Sequence, residues 1–274
     1  MSNPRLRVAV VYPVRDDFEP NAGILNKMRY QVDAFAALGC DAHGYCARAD
    51  GVVVDGVLTS KYRVLGGRPI RVMNHYGFFW TRLLAVFGKE LPDVLYLRQP
   101  GTHPALLSFL YALRGRKRSM KIVLEVATYP FEGEADTLSQ KLIVASDKVF
   151  QHGLSLAVDR IVTFCGQQVI YGIPCIQSSN GIDVDALPIR TPSVEPRVFR
   201  MLGVAALAKW HGYDRLIEGI SAFKAKGSST IDSVRYRRRR SCEQRTKSTR
   251  GDARADRRGR FSWYRSRARA RCIV

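Results

Sequence analysis

Apolar residues in this chain fall into two alternating patterns from Arg5 to Ser179: short unbroken runs, and longer stretches in which they recur every three or four positions. The runs predict strands at Leu6–Tyr12, Ala42–Cys46, Val94–Leu97, Lys121–Val126, Arg160–Phe164 and Cys175–Ser178. The periodic stretches predict helices at Ile24–Leu38, Arg71–Lys89, His103–Leu113 and Leu138–Leu156. In the first helix Ile24, Met28, Val32, Phe35 and Ala36 lie near one face, and Gly39 fits its C-terminal stop. Val52–Val64 reads as a hairpin around Asp55-Gly56, and Gly181, within Asn180-Gly-Ile-Asp183, is placed for a positive φ. Strands alternating with helices predict a parallel sheet wrapped by helices. Pro188, Pro192 and Pro196 then mark a stiff linker, and a new strand at Val198–Ala205 opens a second domain.

Composition alters this picture at one end. The 274 residues are 46% hydrophobic and 25% charged, the balance of a globular protein, with a net charge of +20. That charge is uneven. Arg235–Val274 holds 15 Arg, one Lys and three acids, leaving 28 basic and 21 acidic residues before it. This tail has no Leu, Met or Pro and is expected to be disordered, because it cannot build a core.

No targeting segment is read. Val8–Tyr12 is too short for a signal-peptide core, and Tyr76–Gly88, interrupted by Arg82, falls short of the roughly 20 residues a spanning helix needs. The expectation is a cytoplasmic protein, with peripheral contact at the inner face of a membrane left open. The six cysteines form no C-x-x-C pair and read as buried free thiols. His75, His103 and His152 lack the paired spacing of a metal site and read as incidental; neither metal nor cofactor is expected.

Several residues stand where an α/β fold puts its chemistry. Val204–Glu218 reads as strand, basic turn and helix start, where Lys209 and His211 supply positive or donor groups and Gly212 lets backbone N–H groups approach an anion. Gly23 follows the first strand and either admits a ligand in the same way or is an ordinary turn glycine. Arg98 ends a strand, where its planar fork can reach a phosphate or a sugar hydroxyl or simply pair with an acid. Glu125, Thr128, Tyr129 and Glu134 lie at another strand end and its loop, suited to an acceptor pocket or to structural roles.

These segments together resemble the nucleotide-sugar glycosyltransferases of the GT-B type, which have two Rossmann-like domains, in the large retaining family numbered four. The resemblance covers about residues 5–225. It is carried by Asn21-Ala-Gly23 before a helix with Lys27, Arg29 and Gln31, by Leu95-Tyr-Leu-Arg98, and by Leu124-Glu-Val-Ala-Thr-Tyr-Pro130 with Glu132 and Glu134. Asn180-Gly-Ile-Asp183 and Lys209-Trp-His-Gly-Tyr-Asp-Arg215 complete it.

It implies an acceptor-side Rossmann-like domain at 1–188, a linker at 189–197, the start of a donor-binding domain at 198–234, and the Arg-rich tail at 235–274. It also implies a nucleotide-sugar donor and a glycan or lipid-linked acceptor, in surface-polysaccharide synthesis. The donor diphosphate falls to Gly23, Lys209, His211 and Gly212, and the acceptor to Arg98, Glu125, Thr128, Tyr129 and Glu134. Where relatives often hold the diphosphate with an Arg and a Lys, this chain has Ala206 and His211, so that Lys209 is left to supply the charge. The family's late pair of glutamates, separated by seven residues, has no counterpart after Glu218.

The tail's bias to Arg, Ser, Gly and Ala resembles a GC-rich gene read in a wrong frame. The expectation is a frameshifted remnant of a glycosyltransferase, inactive in transfer. The rival expectation is a polyanion-binding protein, whose Arg-rich arm holds nucleic-acid phosphates or anionic lipid by counterion release, with Tyr236, Phe261, Trp263 and Tyr264 adding stacking.

Overall fold

A computed structural model describes residues 5–18, 21–62, 68–99, 101–130, 138–181, 199–204, 212–225, 231–237, 250–255 and 261–266. The chain divides into two compact units, Met1–Ile182 and Asp183–Val274.

The first unit follows the alternation read from the sequence. β1 (Arg7–Arg15) leads through α1 (Ala22–Ala37) to β2 (Asp41–Arg48), then to β3 (Gly51–Val54) and β4 (Val57–Lys61). α2 (Arg68–Phe87), β5 (Val94–Arg98), α3 (Pro104–Arg116) and β6 (Lys121–Val126) come next. α4 (Leu138–Phe150) runs into a 3-10 segment, Gln151–Leu156, before β7 (Arg160–Thr163), β8 (Val169–Ile170) and β9 (Ile173–Gln177). Among the described residues nine strands form one sheet in the order β4-β3-β2-β1-β5-β6-β7-β9-β8. The six from β2 to β9 in that order pair in parallel, and β3, β4 and β8 are antiparallel additions at the two edges. The unit is therefore a mixed α/β structure around a mostly parallel sheet.

β1 is apolar without a break because both of its faces are covered. Val8, Val10 and Tyr12 pack with Leu25 and Met28 of α1, whereas Ala9 and Val11 join the larger core with α2 and α3, where Phe79, Trp80, Leu83, Leu106, Leu110 and Leu113 are buried. β1 connects through α1 to β2 on one side, while β5 lies against its other side. The strand order thus reverses between β1 and β5, and open α/β sheets bind ligands in the crevice outside the strand C-termini at such a point.

Three local expectations change. Leu138–Leu156 is not one α-helix: it tightens to 3-10 geometry at Gln151, where Gly153 packs so closely on α3 that a Cβ would sit 2.8 Å from Leu107 and Tyr111. Gly181 does not take a positive φ; in this stretch Tyr171 and Gly172 do, in the turn between β8 and β9. His103 is not incidental, as its cap below shows.

In the second unit β10 (Phe199–Val204), α5 (Tyr213–Ala225) and β11 (Ile231–Arg237) form a strand-helix-strand run with β10 and β11 parallel. β12 (Arg250–Ala255) and β13 (Phe261–Ser266) pair antiparallel. Both strands lie within the Arg-rich stretch that the sequence reading expects to be disordered from Arg235 onward. Phe261, Trp263 and Tyr264 of β13 are residue types that favour strands. The linker expected at 189–197 lies outside the described residues. Among the described residues no helix is long and apolar enough to cross a membrane.

Candidate functional site

Glu125 is the centre of the arrangement nearest the β1/β5 crevice. Its side chain is fully buried on the α1 face of β6, one residue before the strand ends. Strand alternation turns Tyr96 and Arg98 of β5 and Tyr12 of β1 to the same face, while Lys27 and Gln31, one helical turn apart on α1, reach down from above. Oε1 accepts from Arg98 Nη1 at 2.6 Å and from Lys27 Nζ at 3.0 Å. Oε2 accepts from the Tyr96 hydroxyl at 2.7 Å and from Gln31 Nε2 at 3.0 Å. Tyr12 donates to Gln31 Oε1 at 2.7 Å, closing the network.

Lys27 Nζ also donates to Asn180 Oδ1 at 3.1 Å and lies 4.2 Å from the centre of the Phe164 ring. Burial alone would raise the Glu125 pKa, but the bonds from Tyr96 and Gln31 and the charge and bond of Lys27 outweigh it and hold the carboxyl below its ordinary value. Burial and the Glu125 charge push the Tyr12 and Tyr96 hydroxyls well above theirs, so both stay protonated as donors.

Two cations share one carboxylate, leaving a residual positive charge that solvent reaches, since Arg98 and Lys27 side chains are 22% and 26% exposed. Glu125 itself does not offer oxygens to a ligand. It holds Arg98 and Lys27. Of the two roles the sequence leaves open for Glu125, acceptor contact or structure, its position and bonds are those of a structural one.

Gly23 sits in the first turn of α1, exposed, with nothing within 4 Å of where a Cβ would stand. α1 has no side-chain cap, since the Asn21 amide turns instead to the Arg15 carbonyl at 2.9 Å. Thr128 is exposed beyond β6, and Tyr129 is half-buried against Tyr171. Gly212 takes φ +63° and its carbonyl accepts from Leu216 N–H at the opening of α5. Lys209, His211 and Glu134 lie outside the described residues.

A second buried carboxylate, Asp147 on α4, organises the loop that follows β5. It accepts from Thr102 N–H at 2.6 Å, from Gln99 Nε2 at 3.0 Å and from the Tyr171 hydroxyl at 3.0 Å. Nearby, His103 caps α3: its Nδ1 lies 3.3 Å from Leu106 N–H and its Nε2 lies 3.3 Å from the Trp80 indole N–H. A neutral imidazole has one acceptor nitrogen, so one of these contacts is an acceptor bond at a time. Burial keeps the ring neutral, with its pKa pushed down to about 4.

Sequence reasoning thus found Arg98 and Glu125 but missed Tyr12, Gln31 and Tyr96 as their partners, and Asp147 and Tyr171 altogether. One signal was legible: Tyr171-Gly172 stands where a tight turn ordinarily has Asn-Gly or Asp-Gly. No protein-family model matches the chain, and no curated protein matches it.

Proposed function

We propose that this chain descends from the GT-B nucleotide-sugar glycosyltransferases of retaining family 4, with the first unit as its Rossmann-like acceptor-side domain. One observation carries the reading. The segments on which the resemblance rests are far apart in sequence, yet Lys27, Gln31, Tyr96, Arg98 and Asn180 all reach Glu125 or a residue bound to it, beside the strand-order reversal. A buried carboxylate needs converging donors wherever it lies; that two of these are cations reached by solvent beside the strand-order reversal is what favours a ligand-facing role.

In the intact form a sugar moves from a nucleotide donor to a glycan or lipid-linked acceptor during surface-polysaccharide assembly. Lys209, His211 and the Gly212 turn stabilise the departing diphosphate, as fixed donors do for developing charge, and Gly23 lets backbone N–H groups approach it. Arg98, Thr128, Tyr129 and Glu134 receive the acceptor, with Glu125 positioning Arg98 and Lys27. The Arg-rich stretch at 235–274 is, on this reading, a stretch of the donor domain's gene translated in a shifted frame.

Sequencing the encoding DNA through and beyond the codons for Ser228 to Val274, and translating every frame, tests this. A shifted frame that continues the second domain and supplies the paired glutamates supports the reading, and the rejoined protein should then release nucleotide from a sugar-nucleotide panel. No such frame, or a rejoined protein inert with every donor, removes it.

The 15 Arg of residues 235–274 favour a second reading, a polyanion-binding segment. Sequence-selective nucleic-acid binding that falls steeply with salt and disappears on deleting 235–274 would favour it; equal, unselective binding of every polyanion would speak against a dedicated role.

A further inference from the structure

We infer that the cleft walled by Tyr129 and Tyr171 binds one neutral, polyhydroxylated ring, a monosaccharide unit or a cyclic polyol of similar shape. Two hairpins at opposite edges of the sheet turn on two residues each. In one, Asp55 and Gly56 take φ of 48° and 85°; in the other, Tyr171 and Gly172 take 54° and 76°. Asp suits the left-handed first position of such a turn, and a bulky aromatic does not. The turn gains nothing from a tyrosine at 171, so the reason for it lies in what the side chain reaches. Its hydroxyl donates to Asp147 Oδ2 at 3.0 Å, and its ring meets that of Tyr129 edge-on, with centroids 5.6 Å apart. Asp147 is in turn held by Thr102 and Gln99, so three uncharged donors lock the carboxylate that locks the tyrosine.

The cleft beside this ring pair has a volume of about 340 Å³ and is also lined by Val144, Lys148 and Gln151. Small-molecule sites span about 300–1,000 Å³, so this one takes a single ring rather than a chain of them. Its one carboxylate, Asp147, is already held by three donors and offers no free anionic group to a cation. The tyrosine rings offer apolar surface to the C–H face of a sugar, and the Gln151 amide can both donate to and accept from hydroxyls. Tyr129 and Pro130 follow β6, so that wall of the cleft stands just beyond the C-terminal end of a parallel strand. The setting is the acceptor side of the transferase proposed above, but binding here requires no donor and no transfer.

The test uses the full chain labelled with fluorotyrosine, with the resonances assigned through Tyr129→Phe and Tyr171→Phe. Glucose, galactose, N-acetylglucosamine and myo-inositol are titrated, with glucose 1-phosphate and inorganic phosphate as charged probes. The expected result is saturable binding of at least one neutral ring that shifts both tyrosine resonances and weakens about tenfold or more in Tyr129→Ala. Absence of neutral-ring binding, or binding that shifts only other tyrosines, overturns the inference. Binding of the charged probes alone also overturns it and redirects attention to Lys27 and Arg98. A neutral ring bound by a protein that the DNA test shows to be no transferase would leave this inference standing and remove the earlier reading.

Discussion

Arg98 and Glu125 are register partners on neighbouring parallel strands, and Arg98 Nη1 lies 2.6 Å from Glu125 Oε1. Because that carboxylate is fully buried and shared with Lys27, removing it leaves two cations and the Tyr96 and Gln31 donors around a vacated site. Glu125→Ala is expected to cost about 3–5 kcal/mol of unfolding free energy, the range for breaking a buried ion pair. Glu90→Ala, which removes a pair whose carboxylate is 81% exposed, should fall within about 1 kcal/mol. Urea unfolding of both variants checks this, and equal effects would mean that Glu125 is not the organising charge.

Acid should destabilise the protein in two steps. His103 is neutral in the folded state, with its pKa pushed from 6.5 to about 4, so the unfolded chain takes up its proton first and stability falls as pH drops from 6.5 towards 4. That gap corresponds to about 3 kcal/mol. His103→Asn, which keeps a capping acceptor without a titrating ring, should flatten the loss between pH 6.5 and 4.5 in urea titrations.

Glu125 acts at the lower end of that window and below it. Its folded pKa is depressed, so its contribution is present above the ordinary value of 4.5 and is lost as pH falls from there through the lower folded value. His43, paired with Asp55 at 2.6 Å, runs the other way: its pKa is raised, and its contribution is complete below 6.5 and lost as pH rises above that. The His43 step is expected to be small, since both side chains are 46% exposed. A His43→Gln variant should lose stability at pH 6 but match the parent at pH 9.

Two glycines should respond oppositely to alanine. At Gly51 a Cβ would lie 2.3 Å from the Ser60 carbonyl oxygen, and backbone cannot move aside cheaply, so Gly51→Ala should destabilise by several kcal/mol or prevent folding. At Gly23 the space is open and the residue is helical, so Gly23→Ala should stabilise by about 0.4–1 kcal/mol. If Gly23 admits the donor, the same variant of the rejoined protein should bind nucleotide sugar more weakly despite its higher thermal midpoint; unchanged binding would assign Gly23 to the helix alone.

Cys46 should resist alkylation in the native protein. It is 3% exposed, and burial pushes its pKa up to about 12, which leaves almost no thiolate at neutral pH. Mass spectrometry after iodoacetamide should find Cys46 labelled only in denaturant, and native labelling would show that this part of the core opens.

Elements were legible where the information is local. Lys121–Val126 is a strand on composition alone, and Gly39 stops α1 because only glycine takes φ +84° there without strain. Asp55-Gly56 announces its hairpin for the same reason. Glu125 and Arg98 stood out by standing at strand ends, but nothing local says whether a carboxylate at such a place faces ligand or core.

That choice is tertiary. The sequence by itself determined the alternation of strand and helix, the Asp55-Gly56 turn and the concentration of arginine from residue 235, all of which follow from side-chain periodicity, backbone sterics and composition. The structure alone decided that β5 lies beside β1, that Glu125 is buried and satisfied, and that Lys27 meets an asparagine 153 residues away. The physical reason is that a buried charge is tolerable only where its donors converge, and those donors come from β1, α1 and β5, which strand order and not sequence proximity brings together.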